Sequence, residues 1–242
     1  MYTTPAFTLA KKNIGEDDRE YCFFTKKFGK ISMIAKGIRK PSAKLSGQLE
    51  PPRLINISFV SANNKKITGA IVKNSFSNIA SDVQKEAIAL YILSLINQFI
   101  IGETQDLKLW NLLKETMEFI DKAEDNNSVN FAKLYFITKF VQNAGFEPNL
   151  TECTSCGAVN VLGPKIVFDF DKNSIICRNC QDQLKTNNFM NLNLQTLKSL
   201  QLLFGKNLDY LIKNELDLPI LNQKKALNQF FQTYLKTLKN IY

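Results

Sequence analysis

The 242-residue chain contains no histidine. Without an imidazole there is no Ser-His-Asp triad, no Cys-His pair and no histidine acid–base chemistry. No spacing among Lys, Asp and Glu pairs an acid with a base, so the chain does not read as an enzyme. It also lacks a long apolar run. The longest candidate, Ala87 to Ile101, is broken by Ser94, Asn97 and Gln98, short of the ~18 apolar residues that mark a membrane span. Met1-Tyr-Thr-Thr-Pro5 has no basic region leading into an apolar one, so no secretory signal is read there. The expectation is a cytoplasmic protein with reduced thiols.

What is present suffices for real cores. Apolar residues make up 45% of the chain, aromatics 11% and charged residues 22%, the balance of a globular protein with one large domain or two small ones. The net charge of +9 is unevenly spread. Residues 1–80 hold 14 Lys/Arg against 5 Asp/Glu, and residues 81–242 hold 17 of each. The whole excess therefore lies in the first third. A basic domain joined to a neutral one suggests a polyanion-binding surface, with a merely solvated basic face as the alternative.

Four of the five cysteines form two matched pairs, Cys153-Thr-Ser-Cys156 and Cys177-Arg-Asn-Cys180, twenty residues apart. Two residues between thiolates let both sulfurs converge on one ion, and two such knuckles make a four-thiolate zinc ribbon. Gly157 follows the second ligand, where a knuckle often needs a positive backbone angle. Two disulfides and an iron–sulfur centre are the alternatives, set aside for a reduced compartment and for want of any other redox signal. Four thiolates leave no open coordination position, so the zinc is expected to be structural. Cys22, among Tyr21, Phe23 and Phe24, reads as a small buried apolar residue.

The first 80 residues read as β structure. Five short strand candidates, residues 6–9, 20–24, 30–35, 54–60 and 66–72, alternate imperfectly. Thr25–Gly29 and Ala62–Lys65 serve as connecting loops. Five antiparallel strands of this length suit an OB-fold barrel, a type that binds single-stranded nucleic acid with cations and stacking aromatics. From Ser81-Asp82, an N-cap pair, the pattern turns helical. Helices are expected over residues 83–101, 105–122 and 129–143, the first central in a bundle, with Gly145 as a stop. More follow over 194–204, 208–212 and 223–241. The fold class is therefore α+β: an OB-fold domain over 1–79, then a helical domain over 80–242 with a zinc ribbon inserted at about 150–185.

The segment from Ala35 to Leu45 carries Lys36, Arg39, Lys40 and Lys44 with no acid among them. Gly37, Pro41 and Ser42 argue for a loop leaving the third strand. Exposed cations beside a barrel can follow a phosphate backbone. Lys26, Lys27 and Lys30 on the preceding hairpin extend the candidate track. Phe24, Phe28 and Phe59 are candidates to stack on bases, although core packing is the readier reading of each.

The succession of Gly15-Glu-Asp-Asp-Arg19, Thr25-Lys-Lys-Phe-Gly-Lys30, Ala35-Lys-Gly-Ile-Arg-Lys40 and Gly145-Phe-Glu-Pro-Asn-Leu150 resembles the bacterial RecO family. The resemblance covers nearly the whole chain. Two features depart from the family pattern: Lys172-Asn-Ser174 stands where a Gly-Gly turn is usual, and the last helix is poor in arginine. The resemblance implies a non-enzymatic, nucleoid-associated recombination mediator. Such a protein binds single- and double-stranded DNA, anneals complementary strands and acts with RecR to load RecA onto DNA coated by single-strand-binding protein. An RNA-binding or ribosome-associated zinc-ribbon protein is the alternative of another class.

Overall fold

The computed structural model describes residues 1–43, 45–61, 64–159, 166–183, 187–214 and 217–241. The chain divides into two compact units, Met1–Val129 and Asn130–Tyr242. Five strands build the first: β1 (Tyr2–Ile14), β2 (Asp18–Thr25), β3 (Gly29–Ala35), β4 (Leu54–Ser61) and β5 (Lys65–Asn74). They close in the order β1-β2-β3-β5-β4, with β4 returning to β1. β3 meets β5 in parallel at Ile34 and Lys66, and the other neighbours are antiparallel. This is the OB-fold barrel, and closure leaves no sheet edge open to another chain. A bulge at Thr8/Ala10 bends β1. Tyr2–Phe7 pair with β4 and Ala6–Ile14 with β2, so only Ala6 and Phe7 meet both neighbours.

The interior is filled by Ala6, Tyr21, Phe23, Ile31, Met33, Ile55, Ile57 and Phe59, with Ile38 and Leu49 added from the β3–β4 connection. Alternation explains the inward set. It also shows why the pattern was imperfect: Phe7 and Phe24 point outward yet are fully buried. Helices cover them. Trp110 lies 5.5 Å from Phe7 and 6.1 Å from Phe24, ring centre to ring centre, and Phe76 stacks on Phe7 at 6.2 Å.

Those helices are α1 (Ser77–Ser81), α2 (Val83–Phe99) and α3 (Leu107–Lys122). Asp82 caps α2 by accepting from the N–H groups of Gln84 and Lys85, and Asp106 caps α3 through Leu109 N–H. Central placement was expected of α2, but Ala87 and Leu90 reach the surface and burial is confined to Ile88, Ala89, Ile92, Leu93, Leu95 and Ile96. The helix buried nearly all round is α4 (Asn126–Asn143), where Val129 to Ala132, Leu134, Phe136 to Thr138, Phe140 and Val141 are all enclosed.

The loop between α2 and α3 lies on the β2–β3 hairpin. Lys30 Nζ donates to the carbonyls of Asn97 (2.5 Å) and Ile100 (3.0 Å), which the end of α2 leaves unpaired. Gln105 Nε2 donates to Lys26 O at 3.0 Å, and Glu103 pairs with Lys65 at 2.6 Å.

The second unit holds most of α4, a three-stranded sheet of β6 (Ile166–Asp169), β7 (Ser174–Ile176) and β8 (Phe189–Leu192), and helices α5 (Leu194–Gly205), α6 (Leu208–Lys213), α7 (Asp217–Leu221) and α8 (Lys224–Ile241). Strand β8 pairs with β6 along its whole length. It and α7 had no counterpart in the sequence reading. Phe168 and Phe170 of this sheet segment pack on Phe230 and Tyr234 of α8, with Phe168 edge-on to Phe230 at 4.9 Å. Tyr234 Oη donates to Asn173 Oδ1 at 2.6 Å and contacts Phe146 O.

Gly29 tests how the hairpin is held. Its φ is +66°, and a Cβ there would lie 2.1 Å from the main-chain oxygen of Thr104. Gly15 has φ +58° with open space around it. Gly15→Ala should therefore cost only the ~1–2 kcal/mol of a left-handed backbone. Gly29→Ala should cost about 1–3 kcal/mol more, the price of overpacking a main chain that cannot step aside. Urea denaturation of the two variants side by side checks the difference.

Candidate functional site

β3 ends at Ala35, and the chain then makes successive turns through Ala43. Arg39 N donates to Asp17 O (2.9 Å), Lys40 N to Gly37 O (3.2 Å) and Ala43 N to Lys40 O (2.9 Å). Gly37 takes φ +62°, and its N–H donates to Asp18 Oδ1 at 2.8 Å. Ile38 is buried in the barrel and anchors the loop.

The cations of this loop meet acids brought from the β1–β2 turn. Lys36 Nζ donates to Asp18 Oδ2 at 2.5 Å, and Lys40 lies 3.4 Å from Asp17 Oδ2. Arg39 Nη1 donates to the carbonyl of Gly15 at 3.1 Å and faces no carboxylate among the described residues. The hydrogen bond from Lys36, then that from Gly37 N–H, holds the Asp18 carboxyl below its ordinary value of 3.8. The Asp18 side chain is 18% exposed and that of Lys36 is 64% exposed. Asp18 is thus the fixed partner and Lys36 the movable one. Exposed pairs of this kind are weak and screened by solvent, so a phosphate can take over either ammonium.

Beside the loop is a cleft of about 430 Å³ lined by Arg19, Arg39, Lys40, Pro41, Ser46 and Glu50. Glu50 pairs with Lys11 at 2.5 Å and lies 3.9 Å from Arg19. Arg19 was not singled out from sequence, although it closes the Gly15–Arg19 turn that was.

The structure brings Lys36, Arg39 and Lys40 together. Lys26 and Lys27 lie at the other end of β3, whose seven residues span about 23 Å. Both are exposed. Lys30 is engaged with the end of α2. Lys44 lies outside the described residues, as do Ala62, Asn63, residues 160–165 inside the ribbon's expected span and Lys185 at its end. Of the three aromatic candidates, Phe24 and Phe59 are buried and Phe28 is half-buried. Cys22 is half-buried, and burial pushes its thiol pKa up.

In the second unit the sulfurs of Cys153, Cys156, Cys177 and Cys180 all lie within 4.8 Å of one another, as free thiols. Each knuckle is closed by its own main chain. Gly157 N donates to Cys153 O (2.8 Å) with φ +71°, and Cys180 N donates to Cys177 O (3.0 Å). Cys156 and Cys177 sulfurs are 3.8 Å apart. A tetrahedral ion with ~2.3 Å bonds to sulfur sets its ligands about 3.8 Å apart, so the cluster fits a metal ion of that size. Burial opposes ionisation of Cys153, but N–H groups of Cys177, Ser155 and Cys156 pull it down to about 6. Val167 and Ile176 pack with Cys153, Cys177 and Cys180, whereas Cys156 is exposed.

Comparison with known proteins places both halves of the chain. Residues 1–76 match the family model "Recombination protein O N terminal", and residues 80–240 match "Recombination protein O C terminal". The chain is 27% identical over 240 residues to the DNA repair protein RecO of Alkaliphilus metalliredigens, covering 97% of this chain and 94% of that one. It is 31% identical over 185 residues to a RecO of Dehalococcoides mccartyi, covering 75% and 70%. It is 26% identical over 231 residues to the RecO of Caldicellulosiruptor saccharolyticus, covering 94% and 89%.

The Asp18 contacts carry a pH signature. Its folded-state pKa lies below 3.8, so its contribution to stability is present above that pH and is lost as pH falls through the folded value. Asp18→Asn keeps an acceptor for Gly37 N–H but not the charge. The variant should be less stable than wild type at neutral pH, and the two should converge below pH 3.8. Thermal melts from pH 7 down to 2.5 measure this.

Proposed function

The chain belongs to the RecO family of DNA repair proteins, and from that premise we propose that it binds DNA on its barrel and anneals complementary strands. The observation that carries the reading is the loop after β3. Lys36, Arg39 and Lys40 stand exposed beside Arg19 on an OB-fold barrel, within the first 80 residues, which hold 14 Lys/Arg against 5 Asp/Glu. Each ammonium is held by an exposed ion pair that a phosphate can replace. Binding of two strands at one basic surface screens their mutual repulsion and releases counterions, which lowers the barrier to pairing. The proposed action makes and breaks no covalent bond.

The family resemblance extends the proposal to partners: RecR, RecA and single-strand-binding protein, in the cytoplasm at the nucleoid. No described helix is long and apolar enough to cross a membrane. The four cysteines hold zinc, on the chemistry of four soft thiolates in a closed tetrahedral set. Bound there, the ion contributes folding free energy to the second unit and has no open position for catalysis.

Two experiments test this reading. Wild type should accelerate annealing of complementary DNA oligonucleotides. Changing Lys36, Arg39 and Lys40 together to Ala should weaken single-strand binding and reduce the slope of log affinity against log salt by about 2, from roughly 0.7 per phosphate contact. No acceleration by wild type, with tighter binding to RNA than to DNA, would overturn the proposal in favour of an RNA-binding role. For the metal, elemental analysis should find one zinc per chain, and Cys177→Ser should lose it together with cooperative melting of the second unit. A metal-free variant that melts like wild type refutes a structural ion.

A further inference from the structure

Lys26 and Lys27 stand apart from the basic loop, beside an exposed aromatic ring. Tyr2, near the start of β1, is 48% exposed. Register places it opposite Phe59 of β4, and the two rings stack with centres 5.4 Å apart at 27°. Phe28 meets both edge-on, at 5.7 Å from Tyr2 and 5.6 Å from Phe59. Phe59 therefore stacks on Tyr2 and Phe28 abuts it edge-on, while half of the residue remains open to solvent. Its hydroxyl makes no hydrogen bond to a described residue.

The β2–β3 hairpin brings the charge. Lys26 N donates to Pro5 O at 3.0 Å, and Lys27 N donates to Thr4 Oγ1 at 3.3 Å. The turn is thus tied to the stretch of β1 that carries Tyr2. Neither ammonium has a carboxylate within ion-pair distance among the described residues. The acid held against this hairpin by the α2–α3 loop, Glu103, is already paired with Lys65. The neighbourhood of Lys26, Lys27, Lys65 and Glu103 therefore carries two uncompensated positive charges. The contrast with the loop after β3 is plain: there Lys36 and Lys40 have carboxylate partners, and among the described residues no exposed aromatic ring stands beside them.

We infer that Tyr2 is a base-stacking platform and that, with Lys26 and Lys27, it forms a second contact point for single-stranded nucleic acid, some 23 Å along β3 from the first. A base lies flat on a ring that needs no reorganisation, since Phe59 and Phe28 already fix its plane. Lys26 and Lys27 take the phosphates on either side. Stacking requires an unpaired base, so this contact is selective for single strands, whereas the loop of Lys36, Arg39 and Lys40 reads backbone charge on single strands and duplex alike. The inference rests on the DNA-binding reading above and adds to it a place where strand state is sensed.

Fluorescence anisotropy with a labelled oligothymidine and with a duplex of equal length separates the possibilities. Tyr2→Ala should weaken single-strand binding about tenfold, as loss of one stacked base does, and leave duplex binding unchanged. Tyr2→Phe should restore wild-type affinity. Tyr2→Leu keeps apolar cover over Phe59 and should melt like wild type, yet bind single strands as poorly as Tyr2→Ala. Lys26→Ala with Lys27→Ala should reduce the single-strand salt slope by about 1.4. Ultraviolet crosslinking of wild type to an oligonucleotide containing 5-iododeoxyuridine should place the adduct on Tyr2. If wild type binds oligothymidine and Tyr2→Leu binds it equally well, or the adducts all fall elsewhere, the stacking site is refuted while DNA binding stands. If wild type binds neither strand form, the DNA-binding reading itself fails.

Discussion

Everything at the basic surface depends on where one carboxylate sits. Asp18 begins β2, yet its two oxygens accept from Lys36 Nζ and Gly37 N–H, at the far end of β3. The loop that follows β3 has few ladder hydrogen bonds of its own, and this contact gathers it. Ile38 is then buried in the barrel, and Arg39 N–H reaches Asp17 O. With the main chain so fixed, the cations are presented from an ordered loop, and less conformational freedom remains to be lost on binding. The acids orient the cations without burying them. Neighbouring carboxylates in such an exposed setting lower the local charge but compete weakly with a polyphosphate backbone.

The second unit works by a different economy of contacts. Its four cysteine sulfurs converge on one point. The knuckles sit on a small sheet that docks on α8 through Phe168, Phe170, Phe230 and Tyr234. A closed thiolate cluster on one side and an aromatic cluster on the other hold a segment too short to build a core of its own. The cysteine pairs identify the chain by their place in the order of motifs. The most basic stretch of the chain is the barrel segment, residues 1–80, with 14 Lys/Arg against 5 Asp/Glu.

Sequence alone was legible wherever a local rule decided the outcome. The knuckles follow from spacing, and the five strands and the cap at Asp82 follow from pattern. It was illegible wherever two distant segments had to meet. The stretch from Ala35 to Leu45 contains no acid, so its pairing with Asp17 and Asp18 depends on barrel closure. Lys30 looks like any hairpin lysine until α2 ends against it. Tyr2 lies outside the strand expected over residues 6–9, and only its register with Phe59 reveals a ring held open on one face. The expectation of a central α2 came from counting apolar residues around the helix. Leu90 and Ala87 at the surface show that apolar composition is a one-way rule: buried residues are apolar, but apolar residues need not be buried.

The outward-facing rings of the barrel bear on how the chain is partitioned. Phe7 and Phe24 belong to the segment that matches the N-terminal family model, whereas Trp110, which covers them, belongs to the segment that matches the C-terminal one. Inheritance and cooperativity thus draw their boundaries in different places. A chain severed after the fifth strand would keep the full barrel interior and still present two phenylalanine rings to water on its flank, an adhesive face where the intact protein has a dry contact. The helices that follow the barrel are the outer wall of the first unit, and the barrel's flank is only as dry as that wall keeps it.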